Sequence, residues 1–292
     1  MDNIACPVCG GAAFKKLSFF SVPSRYDKKK YPLYKCHGCG LIRPRPLPYT
    51  ERTKYDIYDE EGLTKCYNPD VKKIDFESRE YKDYFKNFRA YARYIKDLGI
   101  KGRHLDIGCG SGHLMQISRG MGLDPQGVEL NPGIARALCE AGFNVQTEEI
   151  ASPVYPAGSY ALVTMNHVLE HIDDLQPFVD RVRCLLKDDG YIILGVPYIY
   201  GLMPRLLRTF WYGHGHGQHL NLFSVRSIKT LFERAGFKLI MTEIGSLDYA
   251  PLFLPRRMRK FIDLFFAGIS GLKMGDNLFM VFKKISAKGG PV

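Results

Sequence analysis

The sequence predicts an α/β protein: a mostly parallel sheet with helices on both faces, preceded by a small four-cysteine module. Three observations predict it. Short apolar runs alternate with helical patterns from residue 100 to the last strand. One such run, His104-Leu105-Asp106-Ile107, empties into three glycines at alternate positions, Gly108, Gly110 and Gly112. Two Cys-x-x-Cys turns, Cys6 to Cys9 and Cys36 to Cys39, stand ahead of the alternation.

The two turns have the form of zinc-ribbon knuckles. Each aims two thiolates at one point, and the following Gly10 or Gly40 admits the backbone the turn requires. Cys6, Cys9, Cys36 and Cys39 together supply four sulfurs for a tetrahedral Zn²⁺, a closed set that predicts a structural ion. Twenty-six residues separate the knuckles, and the runs 17–20 and 31–34 are expected to form a hairpin that closes the gap. A segment under fifty residues buries too little core to fold alone, so the metal would supply folding energy. Residues 1–48 are therefore read as a zinc ribbon, ending in the proline-rich stretch 43–48, which reads as an extended linker.

Residues 49–98 follow as linker and cap. Tyr81, Tyr84, Phe85, Phe88, Tyr91, Ala92 and Ile95 recur at three and four, which predicts an amphipathic helix over 76–98. Residues 99–292 carry the alternation: strands 105–107, 127–129, 143–146, 161–165, 192–196, 238–243 and 278–282, with helices near 111–121, from Pro132, 175–186 and 225–235. Repeated βα units demand a parallel sheet covered on both faces. Seven strands in this sequence make a Rossmann-like sheet. Two stretches near 198–218 and 248–276 interrupt the pattern after strands, where open α/β sheets bind ligands, and are read as lids over an acceptor pocket.

The glycine loop and the acidic residue seventeen positions after its last glycine, Glu129, form a nucleoside-binding layout. Glycine lets backbone lie against a ligand, and a carboxylate closing the next strand accepts two ribose hydroxyls. Here the chain resembles the class I S-adenosylmethionine-dependent methyltransferases, whose first motif reads Asp/Glu-x-Gly-x-Gly-x-Gly. Residues 165–172 (MNHVLEHI), 191–197 (YIILGVP) and 218–224 (QHLNLFS) resemble segments of the branch related to ubiquinone-biosynthesis O-methyltransferases. The resemblance covers residues 100 to 245. It implies that Asp106, Gly108, Gly110 and Gly112 hold the methionine part and ribose, Glu129 grips the ribose diol, Glu148 or Glu149 (Glu149 the one chosen) lies near the adenine, and Asn166 and His167 flank the sulfonium. The last strand would be the antiparallel one.

Methyl transfer to a hydroxyl is assisted by a base, and histidine is the side chain suited to that near neutral pH. His167, His171 and His219 compete. His219 is favoured because it lies between the first insertion and the next helix, and His167 is kept as the second candidate. A related branch carries Glu-x-x-Glu-His at 167–171 and can use a divalent ion; here His167 replaces the first Glu, which counts against one. A metal at His214, His216 and His219 is a weaker motif still.

A net charge of +11 favours anionic partners. The expected acceptor is a small molecule, a hydroxyl of a sugar or polysaccharide-linked intermediate. RNA or protein methylation guided by the ribbon, and a non-catalytic cofactor-binding module, are the alternatives. The ribbon lacks aromatics alternating with Arg or Lys, which disfavours nucleic acid. The basic cluster 256–260 followed by the apolar run 261–266 fits a packed lid or a peripheral membrane contact. With no apolar leader at Met1 and no apolar run of about twenty residues, the chain reads as cytoplasmic. Cys66, Cys109, Cys139 and Cys184 are expected to be free thiols.

Overall fold

A computed structural model describes residues 5–24, 28–48, 77, 85–208, 211, 213, 218–245 and 274–286. The stretch 49–75, most of the helix expected before Phe85, His214, His216, the cluster 256–260 and the run 261–266 lie outside these residues. So does the second expected lid, apart from 274–276.

The N-terminal sheet has three antiparallel strands in order: β1 (Phe14–Pro23), β2 (Lys30–Cys36) and β3 (Ile42–Pro44). The expected hairpin is longer than its apolar runs, with Phe14 opposite Cys36 and Pro23 opposite Lys30. It closes the gap between knuckles: Cys6 Sγ lies 3.6 Å from Cys39 Sγ, and Cys9 Sγ 3.6 Å from Cys36 Sγ. Strand β3 corrects the reading of Arg43-Pro44 as the start of a linker. Leu33 pairs with Pro44 and Lys35 with Ile42, and Pro44 is tolerated because it closes the strand.

The larger sheet has seven strands in the order β6-β5-β4-β7-β8-β10-β9. Helix α1 (Arg89–Asp97), entered through a 3₁₀ turn at Phe85–Phe88, leads to β4 (Arg103–Ile107). Helix α2 (His113–Gly120), β5 (Asp124–Val128), α3 (Pro132–Glu140) and β6 (Asn144–Gln146) follow. Then come β7 (Tyr160–Asn166), α4 (Leu175–Leu185) and β8 (Leu186–Pro197). Helix α5 (Leu202–Leu207) lies in the first expected lid and exposes Leu206 and Leu207. Helix α6 (Val225–Arg234), β9 (Phe237–Gly245) and β10 (Asn277–Lys284) end the unit. Only β10 runs antiparallel to its neighbours, as expected of the last strand.

Local chemistry explains the helix starts. Pro132 occupies the first turn of α3, and Asn131 Oδ1 accepts from Ile134 N at 2.8 Å. Ser224 and Ser227 form a reciprocal capping box on α6. Two strands begin earlier than their apolar runs. Asp124 and Pro125 pair with Arg103 and His104, and β8 starts at Leu186 through the polar stretch 187–190. Central strands β7 and β10 are almost continuously buried, as sheets covered on both faces require.

The ribbon is not a separate bead. Ile42 and Leu222 exchange backbone bonds of 3.0 and 2.8 Å, Tyr200 Oη donates to Gly40 O at 2.9 Å, and Ser224 Oγ donates to Cys39 O at 3.0 Å. Arg43 pairs with Asp173 at 2.5 Å. Cys6, Val8, Cys36, Cys39 and Leu41 share one buried cluster with Phe223. The module therefore sits on the loops that follow β7 and β8, the ligand side of the parallel sheet.

Candidate active site

At the C-terminal end of β4, Gly108, Gly110 and Gly112 all have left-handed backbone, with φ of 68°, 49° and 78°. Their surroundings differ. A Cβ at Gly108 would stand 2.6 Å from Val168 Cγ2, and one at Gly112 2.6 Å from Leu138 Cδ2, whereas one at Gly110 would meet nothing within 4 Å. Two of these glycines admit protein and the middle one faces open space. Glu129 follows β5 and returns to the loop: Gly110 N donates to its Oε2 at 2.9 Å and Asn131 N to its Oε1 at 2.9 Å. Burial raises its pKa, and these backbone donors pull the other way.

Asp106 is buried under the loop and accepts from Thr164 Oγ1 at 2.6 Å. Burial pushes it up to about 7, with Thr164 opposing and Glu129 adding to the rise. Asn166 ends β7, and Tyr91 Oη shares its proton between Asn166 Oδ1 at 3.1 Å and Met165 O at 3.2 Å. Glu149 is exposed beyond β6 at the far edge of the sheet.

The histidines converge on one carboxylate. His167 takes a left-handed conformation, φ 56°, uncommon outside glycine and a frequent mark of functional sites. Its N donates to Gly195 O at 2.9 Å, and its Nδ1 lies 3.1 Å from Glu170 Oε1. His219 Nε2 is 4.0 Å from the same oxygen, and its Nδ1 donates to Gly213 O at 2.7 Å. His171 Nδ1 donates to Gln218 O at 3.1 Å, and its ring meets that of His219 edge-on with centroids 4.7 Å apart. Glu170 is fully buried, and Leu220 N and Asn221 N both donate to its carbonyl. Burial pushes the Glu170 carboxyl up, but its partners, the hydrogen bond from His167 first among them, bring it down to about 2. Burial lowers His219 to about 3, so its ring is neutral at pH 7, and it lowers His171 as well.

Glu170, His171 and His219 each offer a ligand atom, all within 4.8 Å of one another. Glu170 Oε2 is buried with no hydrogen-bond partner. The four cysteines of the ribbon form the other such group among the described residues.

Sequence reasoning missed three features. Tyr91 reads as one more apolar position of α1, yet its hydroxyl holds Asn166, and a side chain at Gly195 would collide with it at 2.6 Å. Gly127 reads as strand, yet a Cβ there would lie 2.7 Å from Cys109 Sγ and 2.8 Å from Met115 Sδ. Glu170 lies within the 167–171 pattern, but that pattern does not reveal the carboxylate shared with His219.

Residues 78–242 match a family described as a methyltransferase domain. The ubiquinone biosynthesis O-methyltransferase of Burkholderia orbicola (strain MC0-3) is 27% identical over 180 residues, 58% of this chain and 67% of the relative. That of Paraburkholderia xenovorans (strain LB400) is 30% identical over 123 residues, 35% of this chain and 53% of the relative, so the match spans about half its length. A SAM-dependent methyltransferase from Archaeoglobus fulgidus superposes with a TM-score of 0.52 at 22% identity, covering 71% of this chain and 95% of that one. One from Mesorhizobium loti gives 0.51 at 16% identity, over 68% and 98%. At these identities the structural likeness establishes the fold.

Proposed function

The chain belongs to the methyltransferase-domain family, and from that membership we propose that it moves a methyl group from S-adenosylmethionine to a hydroxyl of a small, anionic, sugar-linked acceptor. The carrying observation is the loop 106–112: Gly110 faces open space, and Glu129 is already drawn against its N–H. That cradle fits a nucleoside. In this reading Gly108, Gly110 and Gly112 admit the backbone to the ligand and Glu129 accepts the ribose hydroxyls. Asp106 meets the methionine ammonium, Asn166 stands beside the sulfonium and Glu149 lies at the adenine edge. When bound, the donor supplies a methyl carbon activated by sulfonium for in-line displacement.

The protein's part is to orient the acceptor and remove its proton. His167 is the base we assign first. Glu170 accepts from its Nδ1–H, which leaves Nε2 as the proton acceptor in the arrangement of a carboxylate-oriented imidazole. His219 comes second, because its Nδ1–H is committed to Gly213 and its Nε2 is turned to the same buried Glu170. A cleft of about 370 Å³ between the ribbon, the segment after β8 and the start of α6 supports the anionic, sugar-linked acceptor. Lys35 and Arg226 bring cations to it, and His37, Tyr198 and Tyr200 line it with rings. The ribbon zinc would be structural: sulfurs 3.6 Å apart suit a tetrahedron with Zn–S of about 2.3 Å.

Calorimetry with S-adenosylmethionine against NAD tests the donor, and binding of NAD alone would sink it. Labelled-methyl transfer screened over glycosyl phosphates, nucleotide sugars and RNA tests the acceptor; label on RNA alone would favour the ribbon-guided alternative. His167→Ala is expected to cut turnover by about 10²–10⁴ with donor affinity kept.

The partnerless Glu170 Oε2 favours a second reading, a divalent ion held by Glu170, His171 and His219. Two imidazoles and a carboxylate suit Zn²⁺, Fe²⁺ or Mn²⁺. Metal analysis would then count two ions per chain, falling to one in Glu170→Gln. A single ion in the unaltered chain would remove this reading.

A further inference from the structure

A buried chain of hydrogen bonds runs beneath the glycine loop. His104 stands two residues before Asp106 on β4, and its side chain has no exposed surface. Its Nδ1 lies 2.8 Å from Ser118 Oγ on α2, and its Nε2 2.7 Å from Thr164 Oγ1 on β7. Thr164 Oγ1 in turn donates to Asp106 Oδ1 at 2.6 Å.

Donor and acceptor capacities set the direction of this chain. An ionised carboxylate only accepts, so the single proton of Thr164 points at Asp106. The Thr164 oxygen then accepts from His104 Nε2–H, which leaves Nδ1 to accept from the Ser118 hydroxyl, whose one proton turns to it at 2.8 Å instead of to Met115 O at 3.0 Å. Burial lowers His104 to about 3, so it acts as a neutral dipole whose N–H end faces Thr164. Packing does not require this arrangement, since an apolar residue would fill the same interior. The chain instead ends with donors aligned on one carboxylate, and each bond polarises the next.

That carboxylate needs the help. Its electrostatic neighbours are Glu129 from the end of β5, Tyr91 from α1 and Cys109 in the loop, and none of them is cationic. Thr164 is the group that pulls against burial.

We propose that His104 is a positioning residue for the methyl donor: through Thr164 it keeps Asp106 ionised and fixed in orientation, ready for the donor's ammonium group. This rests on the reading that Asp106 binds the methionine part of the donor.

The test measures the affinity of the full, metal-loaded chain for S-adenosylhomocysteine at pH 7 and pH 9. Thr164→Val keeps shape and removes the hydroxyl. It is expected to bind about tenfold more weakly than the unaltered chain at pH 7 and equally at pH 9, where Asp106 ionises unaided. Thr164→Ser, which restores the hydroxyl, is expected to recover the original profile. Equal weakening of Thr164→Val at both pH values would mark a packing role and overturn the proposal, as would no weakening at all. In the unaltered chain, ¹⁵N spectra should show His104 as the Nε2–H form with no titration down to pH 5; the Nδ1–H form would also overturn it. Asp106→Asn separates the two failures. If it binds the ligand as well as the unaltered chain, the donor reading falls; if it binds weakly while Thr164→Val has no effect, only the relay falls.

Discussion

Gly110 and Gly112 share a backbone region but predict opposite losses. Alanine in the left-handed region costs about 1–2 kcal/mol. At Gly112 the new Cβ also presses on buried Leu138, so Gly112→Ala should lose about 1–3 kcal/mol of stability, read as a lower urea midpoint. At Gly110 the new Cβ enters open space beside Glu129, so Gly110→Ala should fold with a smaller loss and bind S-adenosylhomocysteine at least tenfold more weakly. His219 gives a pH prediction. Its pKa is about 3 in the folded protein and about 6.5 when unfolded, so the unfolded state takes up the proton first as pH falls. The stability it contributes is present above pH 6.5 and lost as pH drops toward 3. Relative to His219→Gln, the unaltered chain should therefore lose up to about 1.4 kcal/mol per pH unit between pH 6 and 4. Urea titrations of both proteins across that range would show it, and parallel curves would contradict it.

At the scale of elements, helix α6 does two jobs at its N-cap. Ser224 caps the helix against Ser227 and also donates to Cys39 O in the second knuckle. Ser224→Ala should cost about 1–2 kcal/mol, more than a surface cap alone, because a buried knuckle carbonyl loses a donor as well. Chemical denaturation measures it; a loss below about 0.5 kcal/mol would mean that the knuckle does not depend on α6. The segment just before α6 shows the same economy of position. Within five residues it carries His219, two donors to Glu170 O, the Leu222 bridge to β3 and the Phe223 bridge to Tyr198. It joins the histidine cluster to the ribbon.

Across the whole molecule, the four-sulfur centre belongs to the main core. Cys6, Cys36 and Cys39 share the main buried cluster with Phe223, and Cys9, Tyr198 and Val225 pack against that cluster. With the proposed zinc bound there, stripping it with a strong chelator should therefore do more than unfold residues 5–48. It should lower the melting temperature of the entire chain and weaken turnover, with recovery when zinc is restored. A melting curve that splits in two, with the major transition unmoved, would show that the modules fold independently. No helix among the described residues is long and apolar enough to cross a membrane.

Much of this architecture is written in short-range rules. The β/α alternation, the glycine loop with Glu129 and the two knuckles are legible because each depends on backbone geometry or side-chain period within a few residues. Strand ends are less legible where polar residues such as Asp124 or Lys187 pair in the ladder without an apolar signature. The histidine cluster, the grip of Tyr91 on Asn166, the relay from His104 to Asp106 and the seating of β3 on Leu222 are of another kind. Each joins residues brought together from different segments, with Glu170 and His219 49 positions apart and Ile42 and Leu222 180 apart. Their meeting is set by strand order and by how buried polar groups find partners, and no local pattern of residues encodes either.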